Sequence, residues 1–195
     1  MRIKNMIPAC LMAVLILTGC GAQQAQVLDE TGIILDKDRR VTQVIVESFD
    51  RSYYNADELR GQIETKITQA AGDKDSPRVK LQKFELSEDG QLSVGIEFAT
   101  GDDYASFNGK TLFTGTVDEA AAKGYTLTGL ETTEGEAVDG VKLSADGDKQ
   151  IVVFEEAMTV VVPGRVLYHS DNVTADGEKQ VHKDTDSGNG MVVYE

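Results

Sequence analysis

The chain has no tryptophan, only three prolines and only two cysteines. The cysteines are Cys10 and Cys20, so nothing after residue 20 can form a disulfide, a thiolate metal site or a redox pair. Positive charge is also scarce. Nineteen Lys and Arg face 33 Asp and Glu, a net charge of −14. Neutralising a phosphate backbone takes cationic side chains, so nucleic acid is excluded as a partner, and an anionic polymer would be repelled. Basic proteins, amines and divalent cations are the electrostatically favourable partners. No glycine-rich phosphate loop, no His-x-x-x-His pair and no Gly-x-Ser-x-Gly elbow is present. The sequence therefore calls for no cofactor.

The two cysteines sit in a distinctive N-terminus. Arg2 and Lys4 are its only charges, and an apolar stretch from Met6 to Leu17 follows, interrupted by Pro8. A membrane-crossing helix needs about 20 apolar residues. This run is shorter and turns polar at once with Gln23, Gln24 and Gln26. A positive start and a short apolar middle are the layout of a secretory signal. Leu17-Thr18-Gly19-Cys20 resembles the lipobox of bacterial lipoproteins. That resemblance implies a diacylglycerol on the Cys20 sulfur, cleavage before Cys20, and an extracytoplasmic protein anchored to the cell membrane. Two or more acyl chains bind a bilayer firmly where one binds it marginally. Removing residues 1–19 takes away two cations and no carboxylate, leaving 17 Lys and Arg and a net charge of −16.

The expected organisation is a signal over 1–19, a polar tether over 20–30, an α+β domain over 31–125 and a β-rich region over 126–195. Ile33–Leu35 and Val41–Phe49 read as a hairpin around the charged turn Asp36-Lys37-Asp38-Arg39-Arg40. Asn55 with Glu58 three residues on has the pattern of a capping box, and Tyr54 can pack on Leu59 as its staple. Leu59, Ile63 and Ile67 then form one apolar stripe on a helix that Gly72 ends. Leu92, Val94, Ile96 and Phe98 alternate as a strand with one apolar face. Val79–Leu86 changes phase between Leu81 and Phe84, which predicts a bulge. Asp102 and Asp118 are expected to cap two short helices closed by Gly109 and Gly124. Beyond Tyr125 only strands are expected, at Val141–Leu143, Ile151–Phe154, Thr159–Val162, Arg165–His169 and Met191–Tyr194. The fold class is α+β: an antiparallel sheet with one main amphipathic helix, followed by a β-rich part.

Three groups of residues could carry chemistry. His169-Ser170-Asp171 contains the residue types of a hydrolase triad, but neighbours on one strand cannot converge on a substrate. In that strand Val166 and Tyr168 are expected on one face, with Leu167 and His169 on the other. Glu85, Glu88, Asp89, Glu155 and Glu156 supply carboxylates beside turns, where solvated charge is the ordinary role. Asp184-Thr-Asp186 has the spacing of the first two calcium-loop ligands, with Glu195 at the twelfth position. Gly188 and Asn189 break that pattern, and Gly188-Asn189-Gly190 suits a hairpin turn instead. The metal reading is therefore a weak calcium candidate at Asp184, Asp186 and Glu195. Taken whole, the chain resembles small bacterial lipoproteins, which implies a non-enzymatic binding or assembly module. The partner would be an envelope protein or a basic ligand. A cell-envelope hydrolase, or an accessory to one, is the alternative.

Overall fold

A computed structural model describes residues 28–72 and 77–195. The expected signal, Cys20 and most of the tether lie outside the described residues. Strands β1 (Gly32–Leu35) and β2 (Val41–Ser48) form the expected hairpin, in register from Gly32↔Val44 to Leu35↔Val41. Helix α1 (Ala56–Ala70) begins where Asn55 accepts from the Glu58 amide at 3.1 Å. Glu58 accepts from Gln62 at 3.3 Å, and the reciprocal bond of a capping box is not formed. Ile67 is buried beneath α1, Leu59 and Ile63 are half-buried, and Gly72 at φ 74° ends the helix. Strands β3 (Val79–Leu86) and β4 (Gln91–Phe98) follow, and the register slips between Leu81 and Lys83 as the sequence phase predicts. That slip lets both Leu81 and Phe84 pack on the core.

The next caps lie two residues upstream of the expected aspartates. Thr100 caps α2 (Gly101–Asn108), and β5 (Leu112–Thr116) leads into α3 (Val117–Ala122). Thr116 and Glu119 form a complete capping box there. Both starts read Thr-x-x-acid, and the threonine, with its non-helical backbone, takes the cap. After β6 (Leu130–Thr132) comes α4 (Gly140–Ala145), where a strand was expected at Val141–Leu143. Asp139 accepts from the Lys142 amide at 2.8 Å and starts this turn of helix. The remaining strands are β7 (Gln150–Phe154), β8 (Thr159–Val161), β9 (Val166–Ser170), β10 (Thr174–Ala175), β11 (Gln180–His182) and β12 (Gly190–Tyr194).

The described residues form an α+β fold with two sheets. The first has strand order β10-β11-β8-β1-β2-β4-β3 and the second β5-β7-β12-β9-β6. Every pairing is antiparallel except β1 with β8. Both sheets mix strands from before and after residue 125. One core joins the two sheets and the inner faces of α1 and α2, and includes Ile33, Val41, Ile67, Phe98, Tyr104, Phe154, Val160 and Tyr194. A second lies on the other face of the second sheet, where α3 and α4 cover Ile151, Val153, Met191 and Val193. Strands β7 and β12 are thus buried on both faces, which is why they read as unbroken apolar runs.

Two expectations fail on topology. Between β9 and β12 the pairing jumps from Val193↔Tyr168 to Tyr194↔Val166, so Leu167 is bulged out. Val166 and Tyr168 then enter different cores instead of sharing a face. Segment 183–189 is not a hairpin turn either. It crosses from β11 in the first sheet to β12 in the second.

Candidate functional site

The first sheet has two distinct ends. At one end β2 closes; β1 begins opposite Val44, midway along β2, and Thr31 Oγ1 exchanges bonds with the Val46 amide and carbonyl. At the turn end, residues 36–40 join β1 to β2. There Asp36 Oδ1 accepts from the amides of Asp38 and Arg40, at 2.8 and 2.9 Å. Those two bonds wind the turn tightly enough to hold Arg39 at φ 62°, a left-handed conformation that costs an L side chain about 1–2 kcal/mol.

The strained backbone aims the Arg39 guanidinium at the second sheet. Its Nε donates to Gln150 Oε1 at 2.9 Å, and its Nη1 donates to Glu119 Oε2 at 3.0 Å. Glu119 also accepts from the Thr116 amide at 2.7 Å. That amide bond, with the Arg39 charge beside it, holds the Glu119 carboxyl below the usual range. Arg39 is the only residue other than glycine with a positive φ among the described residues. Such strain persists only where surrounding contacts enforce it, and it concentrates at functional sites.

Arg39 stands between two clefts. One, of about 250 Å³, is lined by Arg39, Thr100, Gly101, Asp102, Phe113 and Lys123. The Lys123 ammonium lies 5.0 Å from the centre of the Phe113 ring and 3.6 Å from Asp102. The other, of about 180 Å³, is lined by Asp36, Lys37, Arg39, Pro163, Tyr194 and Glu195. Arg165 donates to Glu195 at 2.8 Å and holds that carboxyl below its ordinary range. A third, of about 220 Å³, opens where Arg78 stands 3.5 Å from Asp103. Ammonium and guanidinium donors alternate with carboxylate acceptors throughout. Neither histidine nor cysteine lines any of the three. What these groups can do is bind a polar, mixed-charge surface.

The residues singled out in the sequence are dispersed. Asp184 is 3.1 Å from His182 Nε2, Asp186 accepts from the Ala157 amide at 2.6 Å, and Glu195 is engaged by Arg165. Among the described residues no three His, Cys, Asp or Glu side chains are placed to hold a metal ion. His169 is buried, with Nδ1 3.1 Å from the Ser170 carbonyl and 3.9 Å from Glu131. The Ser170 hydroxyl donates to Asn172 and accepts from the Met191 amide, so it is not paired with His169. Glu155 accepts from the Thr111 amide at 3.0 Å, Glu85 pairs with Lys83, and Asp89 with Ser87. Cys20 lies outside the described residues. In the sequence Arg39 is inconspicuous, because a five-residue charged turn reads as solvated. The one signal available was Asp36, an aspartate placed to bond amides two and four residues on. Compared with protein families, with curated proteins and with solved structures, the chain matches none.

Proposed function

We propose that this protein is an extracytoplasmic lipoprotein, held to the cell membrane through Cys20, that works as a non-enzymatic binding or assembly module. In this reading its turn end engages an envelope protein. The observation that carries the reading is Arg39, held at φ 62° between two charged clefts at the turn end of the first sheet. A partner docking there would exchange its own ions with Arg39, Lys37, Lys123, Asp38 and Asp102. Charge complementarity of this kind sets specificity and register more than raw affinity.

Chemical crosslinking in intact cells, followed by capture of the protein, tests the reading. The wild type should yield a discrete crosslinked species, and Arg39→Ala should lose most of it at equal protein level. An Arg39→Ala protein that captures the same species would remove the turn end from the account.

A further inference from the structure

The first sheet ends in an open edge. Among the described residues β3 pairs with β4 alone, so its other side presents a row of unpaired amides and carbonyls. Helix α1 lies against one face of β3, where the Arg60 guanidinium stands 5.7 Å from the centre of the Phe84 ring. Gln82, Lys83, Glu85 and Leu86 are exposed along the strand.

The side chains of β3 divide between two faces. Val79, Leu81 and Phe84 pack on the core side, and Leu86 stands opposite buried Leu92. Lys80 and Gln82 reach Glu97 on the other face, at 3.7 and 3.0 Å, and Lys83 lies 2.9 Å from Glu85. The register slip makes Gln82 an extra residue in the ladder. A Cβ on Gly95 would meet the Lys83 Cβ at 3.2 Å and the Gln82 Cβ at 3.8 Å, so these two neighbours share a face. From either end, Val79-Lys-Leu-Gln-Lys-Phe-Glu-Leu86 therefore runs apolar, polar, apolar, polar. The strand is a palindrome in polarity, with Lys80 and Glu85 at matching places.

We propose that this edge is a self-association site, at which β3 pairs antiparallel with β3 of a second copy. The pairing sets Val79 opposite Leu86, Lys80 opposite Glu85, Leu81 opposite Phe84 and Gln82 opposite Lys83, each twice about a two-fold axis. Apolar groups and opposite charges then meet directly across the seam. The bulge is what allows it. In an unbulged strand of eight residues the same register would set each core-side residue against an outer one. Edge lysines and bulges deter an unmatched strand; here they select an identical one. Exposed Leu86 gains cover, and Glu85 comes to lie between its own Lys83 and Lys80 of the second copy. No residue of β3 lines either Arg39 cleft, so a pair of copies keeps both sets of clefts open. The pairing does not depend on the anchoring proposed above.

Sedimentation of the chain from Gly21 onward, which keeps every residue of the described fold, tests the pairing. Physiological salt screens the repulsion between two acidic chains. From micromolar to millimolar concentration the wild type should pass from one copy to two. Lys80→Glu and Glu85→Lys each set like charges opposite one another at both ends of the seam, and each should weaken the pair by about tenfold. An equimolar mixture of these two variants re-forms both opposite-charge pairs, so it should associate as the wild type does, with one copy of each. Mixing cannot relieve an effect of either substitution within its own chain, so the rescue reports the seam alone. A wild type that stays single throughout overturns the proposal. So does a mixture that associates no better than its parts. A pair indifferent to both substitutions would place the contact on another surface and overturn it equally.

Discussion

The Nζ of Lys183 donates to the carbonyl oxygen of Glu155 at 2.6 Å and to that of Thr185 at the same distance, in a residue with no exposed surface. Through this pair the crossover from β11 to β12 is fastened to the loop that leaves β7. Burial pushes the ammonium below its ordinary range, while Asp186 and Glu155 oppose that shift. Lys183→Met keeps the stem and strands both carbonyls. It should cost about 2–6 kcal/mol, because each of the two unsatisfied buried groups costs about 1–3 kcal/mol. Urea unfolding measures this. A loss below about 1 kcal/mol would mean that water takes over both carbonyls, since that is within the net worth of one ordinary hydrogen bond.

Arg39 offers a comparison in which backbone and side chain separate. Arg39→Ala and Arg39→Gly both remove the bonds to Gln150 and Glu119, but only glycine is at ease at φ 62°. The glycine variant should therefore be the more stable of the two, by about 1 kcal/mol. Equal melting temperatures would indicate that the turn relaxes once the guanidinium is gone.

Helix α1 shows how far the sequence pattern reached. Its cap at Asn55, its stop at Gly72 and its stripe were all legible, because they follow from local chemistry repeated at fixed spacing. The depth of each stripe residue was not legible, since it depends on what the sheet places opposite. Ile67 is buried while Ile63 is half-buried. Ile67→Asp should consequently lower the melting temperature more than Ile63→Asp, with a cost of several kcal/mol for the buried charge. If Ile63→Asp is the worse of the two, the helix is rotated about its axis relative to this account.

The acid limb of stability should depend on Glu119. Its folded carboxyl titrates below the ordinary value, so the unfolded chain takes up the proton first as pH falls. The contribution is present above the ordinary carboxylate range and is lost as pH drops through it towards the folded value. Glu155 and Glu195, also held low by the Thr111 hydrogen bonds and by Arg165, act in the same direction. Melting curves from pH 7 to 3 should fall less steeply for Glu119→Gln than for the wild type. Parallel curves would show that the Thr116 and Arg39 bonds do not favour the charged form.

What the sequence concealed has physical causes. Thr116-Val-Asp-Glu119 and Thr100-Gly-Asp-Asp103 each offer two residues able to cap, and only the backbone conformation chooses between them. Helix α4 is six residues, too short for a stripe to repeat. Strands β10 and β11 have two and three residues, too few for an alternation to show, and β11 owes its order to pairing with β8. The sheet exchange at 183–189 leaves no local trace, because a loop that turns back and a loop that crosses over use the same residues. Arg39 was hidden for a related reason. Left-handed backbone is foreseen at glycine or asparagine, and here the turn forces it on arginine.

The central claim is that Cys20 holds this domain at a membrane. Labelled palmitate fed to cells producing the full chain, followed by membrane fractionation, reads it directly. The wild type should carry the label and sediment with membranes. Cys20→Ala should lose the label and leave the membrane fraction, while keeping the melting temperature of the folded domain. A Cys20→Ala protein that still carries label and still sediments, or a wild type that never takes up label, would contradict the account.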